Sequence, residues 1–254
     1  ARPLLKGRAR SIIFLAVVGL ATVAVTGLFA TSDVTVKLLP FDNKSELQVV
    51  VDLPEGANLY LCPQTLFKFH PDYDRVLGDI LAADPQGRIV IISGRYANKQ
   101  RLLTERFAKA FPDQVDRVLF VPRMNLEQFM QLILIADVIL DPMFFGGGNS
   151  SAEAISAGAP IVTLAGAYLR DRVTYAFYKT MGFEDLIASD ADDYVQLAVR
   201  LANDAPFRRE MVDKLNACSD RFFANMETVR ELESFFAAAI EARRDNQPPI
   251  TWRA

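Results

Sequence analysis

DPMFFGGGNSSAEAISAGAP occupies residues 141–160, and its reading decides the fold. Residues 137–141 (DVILD) read as a short apolar strand ending at Asp141. Residues 160–164 (PIVTL) read as another, with a helical stretch at 150–158 between them. Two short strands joined by a helix make a βαβ unit with parallel strands. Gly146, Gly147 and Gly148 let the backbone turn tightly and come close to a ligand. Asn149, Ser150 and Ser151 read as the cap residues that open the helix. Free N–H groups and the helix dipole make that end an anion site. Glu153, in the first turn, is placed to take a ribose diol. The plain alternative is a glycine-rich turn before an ordinary capped helix.

The same alternation extends in both directions. Candidate strands are 58–62 (NLYLC), 88–93 (RIVIIS), 117–121 (RVLFV), 137–141, 160–164 and 185–188 (DLIA). They are short, continuous and rich in β-branched residues, as strands buried on both faces are. Helical patterns fall between them at 72–83, 98–110, 125–135, 150–158, 170–181 and 190–203. The predicted class is α/β: a Rossmann-like, doubly wound parallel sheet over residues 59–205. Two further helices are expected in 206–241, with a tail at 242–254. Ligands of such sheets sit beyond the carboxyl ends of the strands, so the loops there carry the chemistry.

After the first strand comes CPQTLFKFHPDYD (62–74). Lys68 can neutralise charge developing on a departing diphosphate, and Gln64 offers amide hydrogen bonds. Lys68 taken alone also reads as a surface lysine. His70, ahead of Pro71 and a capping Asp72, reads as a structural or loop histidine. Arg95 follows the second strand and reads equally as a solvated arginine. In VPRMN (121–125), backbone groups of Arg123 and Met124 can read a planar base edge, while Asn125 can simply cap a helix. Arg170 and Arg172 open the helix after the fifth strand. Cations there oppose the dipole, which a bound anion or a carboxylate partner would offset. Tyr175, Phe177 and Tyr178 read as core.

Composition removes several classes. The chain has 254 residues, 51% hydrophobic and 23% charged, so it is globular rather than disordered. A net charge of -3 gives no global basic field, and no nucleic-acid partner is expected. Cys62, Cys218 and the single histidine, His70, cannot supply a structural zinc site, and no metal or cofactor is expected. The sequence has no GxGxxG and no Walker A motif, which counts against dinucleotide use and nucleotide hydrolysis.

The apolar excess is concentrated at residues 11–30 (SIIFLAVVGLATVAVTGLFA), a stretch without a charge. Its length suits a bilayer core of ~30 Å. Arg2, Lys6, Arg8 and Arg10 precede it in a basic flank, residues 1–10. A membrane span with a cytoplasmic N-terminus is therefore expected, a signal peptide being the alternative. Residues 31–58 read as an extended linker.

Two family resemblances complete the reading. Residues 37–59 (KLLPFDNKSELQVVVDLPEGANL) resemble the segment after a transmembrane helix in resistance-nodulation-division efflux permeases, a match covering 2–59. One span cannot make a pump. Residues 59–241 resemble the carboxyl-terminal half of O-GlcNAc-transferase-like, SPINDLY-like bacterial glycosyltransferases. The blocks that carry this are LCPQTLFKFHPDYD (61–74), RVLFVPRM (117–124), ADVILDPMFFGGGNSSAEAISAGAPIVTL (136–164) and LRDRVTYAFYKTMGFEDLIA (169–188).

The second resemblance implies a GT-B fold and metal-free, inverting transfer of N-acetylglucosamine from UDP-GlcNAc to Ser or Thr of a protein acceptor. It places Gln64 and Lys68 at the diphosphate, Lys68 as the catalytic group. The backbone of Arg123 and Met124 would face uracil. Asn149, Ser150 and Ser151 would hold phosphate and Glu153 the ribose, with Gly147 and Gly148 also among the UDP-sugar-binding residues. The chain departs from animal members in having Gly148-Asn149-Ser150 for a His-Thr-Thr triplet, and Phe129 for a uracil-side histidine.

The first Rossmann domain, its histidine and the tetratricopeptide repeats are not matched in this sequence. The implied function is thus the UDP-sugar-binding half of a glycosyltransferase, inactive alone. The alternatives are a non-catalytic UDP-binding module or an incidental fusion with a permease fragment. Two resemblances meeting near Leu59–Tyr60 read as a chimera. Without that fusion the chain is expected in the cytoplasm.

Overall fold

The computed structural model describes residues 54–248 and 251. The predicted flank, span and most of the linker, residues 1–53, lie outside the described residues. Among the described residues, no helix is long and apolar enough to cross a membrane.

Six strands form one parallel sheet: β1 (Asn58–Cys62), β2 (Gly87–Ile92), β3 (Val118–Val121), β4 (Val138–Leu140), β5 (Ile161–Leu164) and β6 (Ile187–Ala188). Their order is β3-β2-β1-β4-β5-β6. The direction of winding reverses between β1 and β4, which pair through Tyr60–Val138 and Leu61–Ile139. A doubly wound sheet has its ligand crevice at that reversal. Tyr60, Leu61, Ile89, Ile91, Val138, Leu140, Ile161 and Val162 are fully buried, because helices cover both faces.

The described helices are α1 (Pro71–Ala83), α2 (Ala97–Ala110), α3 (Leu126–Ile135), α4 (Asn149–Ser156), α5 (Val173–Met181), α6 (Ala191–Asn203), α7 (Ala205–Cys218), α8 (Asp220–Phe223) and α9 (Met226–Arg244). Several helix ends have a local cause. The cap of α1 is His70 rather than Asp72: its Nδ1 accepts from the Asp72 N–H at 3.2 Å. Pro71 then takes the first helical position, where a missing N–H costs nothing. Asn125 and Gln128 make a reciprocal capping box on α3. Gly182 ends α5 in the left-handed region at φ 72°, which a side chain would disfavour.

Three other expectations need correction. A 3₁₀ turn, Leu169–Asp171, replaces the first turn of the helix expected from residue 170. There the Asp171 carboxylate accepts from the Tyr168 N–H. Region 206–241 holds three helices, since Ser219 and then Ala224 and Asn225 interrupt it, and Asn225 caps α9. The sixth strand is only two residues long.

Candidate functional site

The site forms where the loops after β1 and β4 meet at the winding reversal. Asp141 follows β4 directly and is buried. Its Oδ1 accepts from the Gly147 N–H at 2.6 Å, and its Oδ2 accepts from Thr163 Oγ1 at 2.8 Å. Burial pushes this carboxyl above the ordinary aspartate range, while those hydrogen bonds and Lys68 pull it back. Beneath it, Tyr194 OH donates to the Asp141 carbonyl at 3.0 Å and meets Tyr73 OH at 3.0 Å. The glycine loop is thus held from below by buried groups on β5, α1 and α6.

The three glycines have different reasons to be there. A Cβ on Gly146 would lie 2.9 Å from Asp141 Oδ2. A Cβ on Gly147 would overlap Ser151 Oγ and lie 2.8 Å from Gln64 Nε2. A Cβ on Gly148 would meet nothing within 4 Å. Gly148, not Asn149, is the cap position of α4, and no side chain caps this helix. Asn149 and Ser150 are instead its first two residues, with their N–H groups at the cleft end. Glu153 consequently sits one turn in rather than in the first turn. Ser151 is buried and accepts from Thr174 Oγ1 at 2.9 Å, so its hydroxyl serves the loop's interior.

Lys68 joins the two loops. Its Nζ donates to Gln64 Oε1 at 2.8 Å and to the Gly146 carbonyl at 2.8 Å. Gln64 Nε2 in turn donates to Ser150 Oγ at 2.6 Å. Partial burial lowers the Lys68 ammonium below the ordinary lysine range, and Asp141 opposes that shift. A lysine held without a direct carboxylate contact keeps its charge for an incoming anion.

These groups open into a cleft of about 390 Å³ lined by Pro63, Gln64, Thr65, Lys68, Ile92, Arg123, Met124, Asn125, Leu126, Phe129, Ser150 and Glu153. Six sequence-derived candidates therefore share one cavity: Gln64, Lys68, Arg123, Met124, Ser150 and Glu153. Gly147, Gly148, Asn149 and Ser151 shape or flank its rim. Phe129, an expected departure, is part of the wall.

The structure does not bring Arg95, Arg170 or Arg172 into that cleft. Arg95 is exposed after β2. Arg170 Nε donates to the Phe144 carbonyl at 3.0 Å and stacks on Tyr168. Arg172 donates to the Gly166 carbonyl at 2.8 Å and stacks on Tyr175. Backbone carbonyls and ring faces, rather than an anion, offset their charge. Of the three aromatics expected in the core, Tyr178 is fully buried, while Phe177 and Tyr175 are half-buried.

Sequence reasoning missed Arg106. Its Nε and Nη2 fork onto buried Asp74 at 2.6 and 2.8 Å, and Nη2 also donates to the Phe69 carbonyl at 2.8 Å. The fork anchors the chain next to Lys68. No local pattern announces a pair 32 residues apart. Among the described residues no group of acidic, histidine and cysteine side chains could hold a metal ion.

A wound parallel sheet with a lysine and a helix N-terminus facing one cleft at its reversal point defines a Rossmann-like α/β fold. The particular family follows from comparison: the profile of glycosyl transferase family 41 matches residues 18–230, and the chain belongs to that family. The match begins inside the predicted span and crosses Leu59–Tyr60, which leaves the chimera reading without support.

Among curated relatives, the tomato (Solanum lycopersicum) protein described as probable UDP-N-acetylglucosamine–peptide N-acetylglucosaminyltransferase SPINDLY is 28% identical over 176 residues. The aligned region is 65% of this chain and 19% of that protein. The Arabidopsis thaliana protein of the same description, SEC, is 26% identical over 188 residues, 72% of this chain and 19% of that one. The chain thus spans about a fifth of the length of these relatives. An O-GlcNAc transferase mutant from Thermobaculum terrenum superposes with a TM-score of 0.62 at 21% identity, over 74% of this chain and 38% of that one. Anabaena HepE, solved with UDP and glucose, gives 0.53 at 13% identity over 70% and 49%. At such identities these two structures speak for the fold.

Proposed function

We propose that this chain is the UDP-sugar-binding half of an inverting, O-GlcNAc-transferase-like enzyme that transfers N-acetylglucosamine to Ser or Thr of a protein. One observation carries the reading: the Lys68 ammonium is clamped between Gln64 and the Gly146 carbonyl, beside the uncapped start of α4. That is a diphosphate site at the reversal point of a wound sheet.

The donor would lie along the cleft, uracil against Arg123, Met124 and Phe129, ribose hydroxyls donating to Glu153, diphosphate at Lys68 and Ser150. The acceptor hydroxyl attacks the anomeric carbon and gives up its proton to water, and the bond from that carbon to the diphosphate oxygen breaks. UDP departs with the electron pair, and Lys68 with the α4 N–H groups stabilises the charge it gains. No general base is assigned.

The test is calorimetric titration of UDP into the full chain. Binding in the micromolar range, about -8 kcal/mol, is expected, with Lys68→Ala and Glu153→Ala each weakening it. Affinity unchanged in both variants would overturn the assignment.

A further inference from the structure

Lys68 has a second side that the cleft does not use. The Phe145 ring lies 4.8 Å from its Nζ, and Phe67 meets Phe145 edge to face at 5.6 Å. Phe67 is 64% exposed, an uncommon position for a phenylalanine next to a polar site. Neither ring lines the cleft that holds Arg123, Met124 and Glu153. Phe144 adopts a left-handed backbone, φ 72°, which a bulky residue rarely takes. It packs on His70 at 4.3 Å, so the two loops meet through two aromatic pairs beyond Lys68.

We infer that Phe67 and Phe145 form the donor-sugar subsite, an aromatic wall against which the apolar C–H face of the pyranose packs. The inference rests on the proposed UDP-sugar reading and extends it. A nucleotide sugar is linear in its parts: base, ribose, diphosphate, sugar. With base and ribose in the cleft and the diphosphate at Lys68, the sugar falls on the far side of Lys68, where the rings stand. Their faces are apolar and carry negative charge density, which suits polarised C–H groups. Water is displaced from one face of the sugar while its hydroxyls stay free for other partners. The Phe145 ring also flanks the ammonium that receives the leaving diphosphate, so sugar and leaving group are seated by one constellation.

The test compares two ligands on the full chain. Kd is measured for UDP and for UDP-N-acetylglucosamine with the wild type, Phe67→Ala and Phe67→Trp. Phe67 is exposed, so its removal spares the fold, and UDP affinity serves as the internal control. The wild type is expected to bind the nucleotide sugar more tightly than UDP. Phe67→Ala should weaken the sugar nucleotide by roughly 3–10-fold with UDP unchanged, and Phe67→Trp should restore it. Equal Kd ratios in wild type and Phe67→Ala would overturn the subsite while leaving the UDP site standing. Absence of UDP binding by the wild type would remove the underlying reading and this one with it.

Discussion

Lys68 Nζ lies 2.8 Å from the carbonyl oxygen of Gly146, joining the loop after β1 to the loop after β4. The contact spans 78 residues of sequence, yet it sits at the one place in the sheet where neighbouring strands lead their connections to opposite faces. A cation there is both a loop fastener and a ligand group. Lys68→Ala should therefore weaken UDP binding by roughly 10–100-fold, the loss of a charge-assisted hydrogen bond worth ~1.5–3 kcal/mol. The melting temperature should fall as well, because the buried Gly146 carbonyl and the buried Gln64 amide lose the donor they share. A thermal scan alongside the titration separates the two effects.

Burial lowers the Lys68 ammonium below the usual lysine range. The sign for binding follows directly. UDP prefers the charged lysine, so binding is complete below the free-state value and weakens as pH rises through it. The alkaline loss of affinity should thus begin earlier than for an ordinary lysine and be absent in Lys68→Ala. Titrations from neutral to alkaline pH in buffers of two ionisation heats would also show proton uptake on binding.

Gly147→Ala and Gly148→Ala should differ sharply. The first places a Cβ onto Ser151 Oγ and against Gln64 Nε2. Overpacking of this kind costs about 1–3 kcal/mol, and displacement of Gln64 should weaken UDP binding as well. The second meets nothing within 4 Å, so no overpacking cost applies and its loss of stability should be smaller than that of Gly147→Ala. Chemical denaturation of both variants checks this.

Arg106→Ala should be among the most damaging changes away from the cleft. It strands the buried Asp74 carboxylate, and breaking a buried pair in this way costs about 3–5 kcal/mol. Burial already holds Asp74 above the ordinary aspartate range, with Arg106 as the main opposing influence. Asp74→Asn combined with Arg106→Met should recover part of the loss, which denaturant midpoints would register.

The strands and most helices were legible in the sequence because their signals are local. A run such as RIVII cannot be stable unless covered on both faces, and the observed β2 starts one residue from its expected place. The cleft was legible for the same reason: its groups stand immediately after strands, and wound topology gathers those positions. What was not legible depends on distant pairing. The Arg106–Asp74 fork, the Tyr73–Tyr194 contact across 121 residues and the meeting of Phe67 with Phe145 leave no periodic trace. The cap of α4 was misplaced by one residue because Asn149 has the side chain of a cap, yet the chain reaches helical geometry only after Gly148. Arg170 and Arg172 were misjudged because carbonyl partners are invisible in a sequence.

The hold that Asp141 keeps on the Gly147 N–H is made between two groups of the chain itself. The glycine loop therefore enters binding already shaped, and little conformational entropy remains to be lost when a diphosphate arrives. Association should proceed at the rate of a rigid pocket, in a single kinetic phase that scales with nucleotide concentration. Differences in affinity between donors would then reside in how fast each one leaves.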